Sequence, residues 1–329
     1  MSLKDRIRRG EPIPFPIAFA LAALTPITRM AMQRRLREPR VKLAARVISF
    51  GNLTAGGSGK TPAVIERVRQ EMAAGRRVAV LTRGYGAENA RPAMVNTAEV
   101  SEVLARHLGD EPALIARKAR GVIIGKNADR VAAGREAIEK HGCDTLILDD
   151  GYQYVRLERD ENVLVIDAAN PFGSGHLLPR GVLREPLEAM DRATHIVLTR
   201  CDQAPGLREL TEKIRKQCPG IPIRYTRHAP KHLVNAADGR IEPLNLLRGL
   251  PVAVACGIGH PEAFVKTLAS LGAILKETRF APDHASFRLP DVAGSRYIVI
   301  TEKDMVRLHN PPKHVWALAV ELEDMPAGY

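Results

Sequence analysis

The sequence predicts an α/β protein whose core is a mostly parallel sheet covered by helices. Three observations support this class. The 329 residues are 45% hydrophobic and 26% charged, which suits about two folded domains of ~150 residues each and excludes a disordered chain. From residue 41 onward, short β-rich runs alternate with helical stretches. Near residue 51, a glycine-rich turn separates a predicted strand from a predicted helix.

The alternation of elements predicts the sheet. The predicted strands of the first part are the apolar runs at 46–50, 77–82, 122–124, 145–148, 163–167 and 195–199. Amphipathic segments between several of them, such as 61–74 and 127–141, are long enough for crossover helices. Strands that alternate with such helices are typical of a parallel sheet covered by helices.

A second region is predicted to begin near residue 221. Two β-rich stretches flank the turn sequence at 235–239 and suggest a two-stranded connection. A strand at 251–256, a helix at 261–271 and a strand at 297–301 suggest another small α/β unit. The expected segments are a basic arm at 1–40, a main α/β domain with the glycine-rich turn at 41–220, a two-stranded linker at 221–249 and a smaller C-terminal α/β domain at 250–329.

The glycine-rich turn is the strongest local signal. It reads Gly51-Asn-Leu-Thr-Ala-Gly-Gly-Ser-Gly-Lys60. Between a strand and a helix, the backbone N–H groups of such a turn bind phosphate oxygens, a lysine reaches the β- and γ-phosphates, and a threonine hydroxyl holds Mg²⁺. The general pattern G-x-x-x-x-G-K-[ST] has glycine where this chain has Thr54. The predicted nucleotide-binding residues are Thr54, Ala55, Gly56, Gly57, Ser58, Gly59, Lys60 and Thr61, the last also a predicted metal ligand.

Two adjacent carboxylates follow a predicted strand further along the chain. Asp149 and Asp150 come directly after the apolar run 145–148. An acid at the C-terminal end of a strand beside a phosphate loop can approach the Mg²⁺ that bridges the phosphates. Asp-Asp-Gly alone would predict only a turn. With the phosphate loop present, both residues are candidate metal ligands.

A third motif, Gly109-Asp-Glu-Pro112, precedes a helical run and has two interpretations. Asp followed by Glu and Pro is typical of a helix N-cap and first turn. The alternative is that Asp110 is a general base that accepts the proton of an attacking hydroxyl group. Composition and spacing do not decide between these two interpretations.

The formal net charge of +12 indicates an anionic partner, and its distribution narrows the choice. Residues 1–46 hold eleven basic and three acidic side chains, a net charge of +8, which leaves +4 for the rest. Nucleic acid is not expected as a partner because aromatics are only 4% of the chain and no basic–aromatic stacking platform is present. The four scattered cysteines predict neither a disulfide framework nor a zinc site, which fits the reducing cytoplasm.

A mostly apolar stretch at 13–27 lies between the basic clusters of the arm. These fifteen residues, interrupted by prolines, are expected to be too few to span a bilayer comfortably, which takes ~20. One hypothesis is a helix in the membrane interface, with Phe15, Phe19 and Leu21 in the acyl region and arginines on anionic head groups. The other is a helix packed on the protein's own core. A secretory signal is disfavoured by the nucleotide motif downstream.

Taken in order, these motifs closely resemble those of the tetraacyldisaccharide 4′-kinase family, the lipid A precursor kinases of Gram-negative bacteria. The likeness covers most of the chain and is carried by 48–62, Thr82-Arg-Gly-Tyr-Gly86, Gly109-Asp-Glu-Pro112, Asp149-Asp-Gly-Tyr-Gln153, Leu177-Leu-Pro-Arg-Gly-Val-Leu-Arg-Glu-Pro186, Phe280-Ala-Pro-Asp-His284 and Thr301-Glu-Lys-Asp304. The resemblance implies transfer of the γ-phosphate of ATP to the 4′-hydroxyl of an acylated glucosamine disaccharide 1-phosphate. It also implies a kinase domain joined to a smaller α/β unit by a β-ribbon, and a membrane-seated N-terminal helix at the cytoplasmic face of the inner membrane.

The resemblance further implies roles for individual residues. Those that hold the phosphates, Mg²⁺ and nucleotide are Lys60, Thr61, Asp149, Asp150 and Gln153. Asp110 becomes the catalytic base, paired with His284 from the second unit. The residues with supporting roles in the active site are Glu111, Arg184 and Glu185. Members of the family often have a second histidine where this chain has Ala285, which leaves His284 as the matching imidazole.

A competing hypothesis is a phosphate-loop GTPase or ATPase that acts on a protein partner. Thr199-Arg-Cys-Asp202 is similar to the guanine-reading motif [NT]-K-x-D, with Arg200 in place of the lysine. Competition between ATP and GTP for binding would separate the two hypotheses. No feature of the sequence indicates an oligomeric state.

Overall fold

The computed structural model describes residues 3, 6–7, 10–84, 91–99, 108–281, 289–290 and 294–326. Within these ranges the helices are α1 Phe15–Ala23, α2 Thr25–Leu36, α3 Lys60–Ala73, α4 Asp110–Lys118, α5 Arg130–His141, α6 Leu207–Gln217, α7 Pro261–Ser270 and α8 Glu302–Met305. The strands are β1 Arg46–Gly51, β2 Val78–Thr82, β3 Ala93–Asn96, β4 Ile123–Lys126, β5 Thr145–Leu148, β6 Glu161–Asp167, β7 His195–Thr199, β8 Ile223–Asn235, β9 Ile241–Glu242, β10 Pro251–Cys256, β11 Ile274–Phe280, β12 Tyr297–Thr301 and β13 Val315–Asp324.

The described strands form one sheet in the order β11-β10-β12-β13-β8-β7-β6-β1-β5-β2-β4-β3, with β9 paired to β8 outside this path. Three pairings are antiparallel, β3 with β4, β8 with β9 and β8 with β13. The other neighbours pair in parallel. The predicted α/β class, a mostly parallel sheet with helices, is confirmed.

Strand β8 joins the two halves of this sheet. Its first residues pair in parallel with β7, where Ile223 lies opposite Ile196. Its later residues pair in antiparallel with β13, beginning where Thr226 lies opposite Asp324. One strand thus belongs both to the phosphate-loop half, β1–β7, and to the C-terminal half, β10–β13. The segment boundaries expected after residues 40, 220 and 249 stay predictions.

Several elements agree closely with the sequence-based expectations. Strands β5, β7, β10 and β12 have the predicted bounds. The helix expected from residue 127 instead begins at Arg130, because Asp129 caps it: Asp129 Oδ1 accepts the backbone N–H of Val131 at 3.0 Å and of Ala132 at 3.3 Å. The elements that sequence patterns did not predict are β3, α6, β11, α8 and β13.

The centre of the phosphate-loop half is apolar on both faces. Ile48 of β1, Val80 of β2 and Ile147 of β5 are buried in the cluster on one face, and Leu81 and Leu146 are buried in the cluster on the other, as expected of parallel strands covered by helices. Because β1 and β5 are parallel neighbours, their carboxyl ends meet at the same edge of the sheet. The phosphate loop after β1 and the two carboxylates after β5 therefore lie side by side.

Helices α1 and α2 follow one another with only Leu24 between them. Pro16 and Pro26 stand in the first turn of each helix, where proline is tolerated. The stretch is thus divided at Leu24, close to Pro26, but its helical part extends to Leu36 rather than ending near residue 27 as expected. Within the described chain, the 22-residue run Phe15–Leu36 is long and apolar enough, by length and composition alone, to cross a membrane.

The same run does not pack on the core, which removes one of the two hypotheses for the arm. Neither helix has a buried residue in the described structure. Phe15 is 81% exposed, Phe19 69% and Met30 70%. One hydrogen bond ties the run to the body, from Thr28 Oγ1 to the Leu178 carbonyl at 2.9 Å.

Candidate active site

The phosphate loop spans residues 52–59, between the end of β1 and the start of α3. Its last residue, Gly59, has a φ of +76°, and a Cβ atom there would lie 2.7 Å from Nε2 of His228. Only glycine suits both the left-handed backbone and this close approach. The loop therefore turns sharply into the N-terminus of α3, where backbone N–H groups are available to phosphate oxygens.

The position of Thr54 explains why the general motif's glycine is dispensable here. Thr54 forms an antiparallel bridge with Leu183, and the backbone N–H of Ala55 donates to the Val182 carbonyl at 2.7 Å. This part of the loop is extended backbone, which any residue adopts. The flexibility of glycine is required further along, at Gly56 with a φ of +127° and at Gly59.

Lys60 and Asp150 form the charged centre of the site. Lys60 Nζ lies 3.3 Å from Asp150 Oδ1 and donates to Asn52 Oδ1 at 3.1 Å. Arg184 Nη1 donates to Asp150 Oδ2 at 2.7 Å. Burial disfavours the charged form of Asp150, but Lys60 and Arg184 together hold its pKa well below its usual range. Asp150 is therefore ionised at neutral pH.

Asp149 has the opposite environment. It is 2% exposed, and its Oδ1 atom has no hydrogen-bond partner among the described residues. Burial, followed by the negative charge of Glu111, raises the pKa of Asp149 to about 7. A buried carboxylate oxygen without a donor is costly unless it binds something.

This donor set fits Mg²⁺ that arrives with a nucleotide. Carboxylate and hydroxyl oxygens are the ligands that Mg²⁺ prefers, and the ion usually keeps several waters and binds substrate phosphates as well. Besides Asp149, the buried hydroxyl of Ser58 in the loop has no partner in the described chain. No group of three or more His, Cys, Asp or Glu residues suited to a metal is found among the described residues, so the oxygens here suit a shared ion better than a protein-only cage.

Gln153 links the phosphate loop to Arg184 by hydrogen bonds. Gln153 Nε2 donates to the Asn52 carbonyl at 2.9 Å, and its Oε1 accepts from Arg184 Nη1 at 3.4 Å. Glu185 is 3% exposed and pairs with Arg192. Arg184 thus contacts the Asp150 carboxylate directly, whereas Glu185 is held by Arg192 inside the protein. The nucleotide and supporting roles of these residues stay predictions.

Asp110 and Glu111 begin helix α4, so the predicted helix start is present. Both side chains nevertheless reach the C-terminal half. Arg307 Nη2 donates to Asp110 Oδ2 at 2.5 Å, and Lys303 Nζ donates to Glu111 Oε1 at 3.4 Å. His284, the predicted partner of Asp110, lies outside the described residues.

A cleft of about 480 Å³ separates the phosphate loop from the C-terminal half. Its wall includes Lys60, Thr61 and Glu111 on one side and Lys303 on the other. His228 Nε2 is buried in it without a partner in the described chain. Burial, and next the charge of Arg200, lower the pKa of His228 to about 4, so this imidazole is neutral.

The geometry of Thr199-Arg-Cys-Asp202 does not favour guanine recognition. Thr199 Oγ1 donates to the Ser58 carbonyl at 2.9 Å, and Arg200 Nε donates to Asp167 Oδ1 at 2.8 Å. Asp202, which would have to read the base, is exposed and does not line the cleft. The segment instead contacts the phosphate loop, through the hydrogen bond from Thr199 to Ser58.

A parallel sheet with a phosphate loop, a buried lysine beside paired carboxylates and a cleft closed by a second α/β half defines a phosphate-loop kinase. The family model described as LpxK, Tetraacyldisaccharide-1-P 4′-kinase, matches residues 13–327. The chain belongs to this family and is a kinase of lipid A biosynthesis, as its motifs suggested.

Individual relatives agree with the family. A tetraacyldisaccharide 4′-kinase of Anaeromyxobacter sp. (strain K) is 41% identical over 305 residues, 90% of this chain and 79% of that protein. Another, from Pelobacter propionicus, is 38% identical over 322 residues, 93% of this chain and 85% of that protein. A crystal structure of an "apo" form of LpxK from Aquifex aeolicus in complex with ATP has a TM-score of 0.72 and 29% identity, and the match covers 94% of this chain and 93% of that one.

Sequence reasoning missed three residues that contact α4 from the C-terminal half: Glu302, Lys303 and Arg307. Lys118 of α4 pairs with Glu302. Thr301-Glu-Lys-Asp304 was one of the motifs of the family resemblance, but no pattern in the sequence indicated which residues it faces. Arg307 lies just beyond that motif, and no pattern in the sequence marked it as a candidate site residue.

Proposed function

We propose that this protein uses ATP and Mg²⁺ to phosphorylate the 4′-hydroxyl of a tetraacylated glucosamine disaccharide 1-phosphate at the cytoplasmic face of the inner membrane. The observation that carries the proposal is a cleft lined by the phosphate loop, by Lys60 and Thr61 and by Glu111 at the start of helix α4, with the buried carboxylate of Asp149 close enough to Glu111 for that charge to raise its pKa. Phosphoryl transfer requires mainly positioning and neutralisation of charge, which these groups supply.

In the proposed mechanism, the loop from Thr54 to Gly59 and the start of α3 bind the phosphates. Lys60 neutralises charge on the β- and γ-phosphates. Thr61, Asp149 and Asp150 would hold Mg²⁺, whose charge would offset the negative charge that develops on the leaving phosphate oxygen. Lys60 is preorganised for this role because Asn52 and Asp150 fix its ammonium group.

Asp110 is the proposed base. As the hydroxyl oxygen of the acceptor bonds to the γ-phosphorus, the bond from phosphorus to the bridging oxygen breaks and ADP leaves. The hydroxyl proton passes to the Asp110 carboxylate. His284 is proposed to share that proton, a role that rests on the family resemblance.

The arm is proposed to bind an anionic membrane surface. Its aromatic and aliphatic side chains are exposed along α1 and α2, and residues 1–46 carry a net charge of +8. The hydrogen bond from Thr28 to Leu178 places α2 beside the loop that leads to Arg184. A lipid acceptor held by the arm would therefore lie near the active site.

The decisive experiment is transfer of labelled γ-phosphate to the acylated disaccharide in detergent micelles, followed by mass spectrometry that locates the added phosphate. We expect one phosphate at the 4′ position, with ATP preferred over GTP. Absence of transfer with ATP and Mg²⁺ present would contradict the proposal.

A further inference from the structure

Arg307 links the C-terminal half to the start of α4. Its Nη2 donates to Asp110 Oδ2 at 2.5 Å, and the two side chains are only 12% and 15% exposed. The two residues are 197 positions apart in the chain. The contact is thus a tertiary one between the two halves of the sheet.

The guanidinium group of Arg307 is itself held in a fixed direction. Its Nη1 lies 3.2 Å from Asp304 Oδ1 and donates to the Gly257 carbonyl at 3.3 Å. Asp304 is fully buried, and its two oxygens accept from the Gly257 N–H at 3.1 Å and from Thr301 Oγ1 at 2.6 Å. Arg307 therefore points at Asp110 from a rigid support.

The helix that carries Asp110 is attached to the same support. Lys303 Nζ lies 3.4 Å from Glu111 Oε1, and Glu302 pairs with Lys118. Glu302 is also fixed, because its Oε2 accepts the backbone N–H of Val320 at 3.2 Å. The C-terminal half thus contacts α4 at both of its ends.

We infer that Arg307 is a positioning residue that orients the Asp110 carboxylate for proton acceptance, an inference that rests on the proposed function. A guanidinium group presents its N–H donors in a planar fork and forms directional hydrogen bonds to carboxylates. By engaging Oδ2, it assigns the transferred proton to Oδ1 and turns that oxygen toward the acceptor hydroxyl. It also makes the alignment of the base depend on the C-terminal half.

The first test compares Arg307→Gln and Arg307→Lys in the full-length enzyme with ATP, Mg²⁺ and the acylated disaccharide. Because a small misplacement of a reacting group costs about 10²-fold, Arg307→Gln should lower kcat by about 10- to 100-fold while the KM for ATP stays nearly constant. Arg307→Lys should restore part of kcat, since lysine keeps the charge but not the fork that spans Asp110 and Asp304.

Arg224→Gln is the matched control. Arg224 also bridges two carboxylates, Glu66 at 2.7 Å and Asp324 at 2.6 Å, and it does not itself line the cleft. It should change the unfolding midpoint without changing kcat. If Arg307→Gln unfolds the protein more than Arg224→Gln does, the Arg307→Lys variant provides the kinetic comparison.

A double-mutant cycle decides between positioning and an independent role. If Arg307 acts through Asp110, Arg307→Gln should have no further effect on kcat in an Asp110→Ala background. An equal loss in both backgrounds, or an unchanged kcat in the wild-type background, would overturn the inference alone. An inactive wild-type enzyme would overturn the proposed function, and this inference with it.

Discussion

Two adjacent carboxylates of the site, Asp149 and Asp150, have opposite electrostatic environments. Asp150 contacts two cations and its pKa is held well below its usual range, whereas burial raises the pKa of Asp149 to about 7. The difference arises from one step along the backbone, because Asp150 adopts a φ of +53° and turns toward Lys60 and Arg184. Asp149 remains inside, where its Oδ1 atom has no hydrogen-bond partner among the described residues.

This contrast predicts a pH-dependent effect on stability. The folded protein binds a proton at Asp149 more tightly than the unfolded chain does, because the pKa rises from 3.8 to about 7. The stability that this proton contributes is present at low pH and is lost as the pH rises toward 7. Relative to wild type, Asp149→Asn should therefore gain about 2 kcal/mol of unfolding free energy between pH 5 and pH 8. Urea unfolding without Mg²⁺ and nucleotide measures this.

Asp150→Asn is the control for that experiment. Its lowered pKa contributes stability that is present above 3.8 and lost only at more acidic pH. Asn also tolerates the left-handed backbone at this position. The variant should therefore be destabilised by a similar amount at pH 5 and pH 8. If the unfolding free energies of Asp149→Asn and wild type differ by the same amount at pH 5 and pH 8, the pKa of Asp149 is not raised in the folded protein.

A second prediction at this scale concerns the base. Asp110→Ala should lower kcat by about 10²- to 10⁴-fold, the usual contribution of general acid–base catalysis. Nucleotide affinity should stay close to wild type, because the phosphates are proposed to bind Lys60 and the loop rather than Asp110. Steady-state kinetics and calorimetric titration with ATP measure the two quantities. Normal turnover by this variant would remove Asp110 from the mechanism.

At the scale of elements, the N-terminal helices are the most unusual feature. Together they expose apolar side chains that a water-soluble domain would bury, and the preceding and following segments are basic. An exposed apolar patch flanked by arginines is typical of binding to an anionic membrane surface. The first turns of α1 and α2 accommodate the prolines that, in the sequence alone, suggested a broken helix.

Substitution of this patch should weaken membrane binding. The double variant Phe15→Glu with Phe19→Glu should lower binding to anionic vesicles by at least about tenfold. Burial of each phenylalanine side chain in the membrane contributes ~1.5–3 kcal/mol of transfer free energy, which the variant loses. Vesicle flotation at low and high salt measures this, and binding to zwitterionic vesicles should be weaker throughout. Ile241→Glu is a suitable control, since Ile241 is 63% exposed on β9. Equal binding by both variants would contradict a membrane role for the arm.

At the scale of the whole molecule, one continuous sheet joins the two halves. Strand β8 pairs with β7 on one side and β13 on the other, so the two halves share backbone hydrogen bonds as well as the ion pairs around α4. The halves also share the cleft. Loss of packing in one half should therefore also destabilise the other half.

Trp316, the only tryptophan of the chain, tests this coupling. It lies buried in β13 and reports on the C-terminal half, whereas far-ultraviolet circular dichroism reports on all elements. We expect coincident urea transitions by the two methods. Leu233→Ala in β8, at a fully buried site, should lower the unfolding free energy by about 2–5 kcal/mol and shift both transitions together. Separate midpoints would show that the halves unfold independently.

The sequence by itself determined the features that depend on neighbours along the chain. The phosphate loop, the apolar strand before Asp149 and the alternation of strands and helices are local patterns, and each appears in the structure where the pattern predicted it. The family resemblance likewise rests on short motifs in a fixed order. Backbone propensity and residue spacing are sufficient for such features because the interactions involved are local.

Only the tertiary structure decided the rest. The pairing of β8 with β13, the contact of Arg307 with Asp110 and the exposure of α1 and α2 join or separate residues far apart in the chain. The second half of β13 alternates Val320 and Leu322 with Glu321 and Glu323, but only the strand pairing shows that Glu323 meets Arg227 of β8. No local pattern encodes which distant groups meet, since that depends on how the whole sheet closes around the cleft.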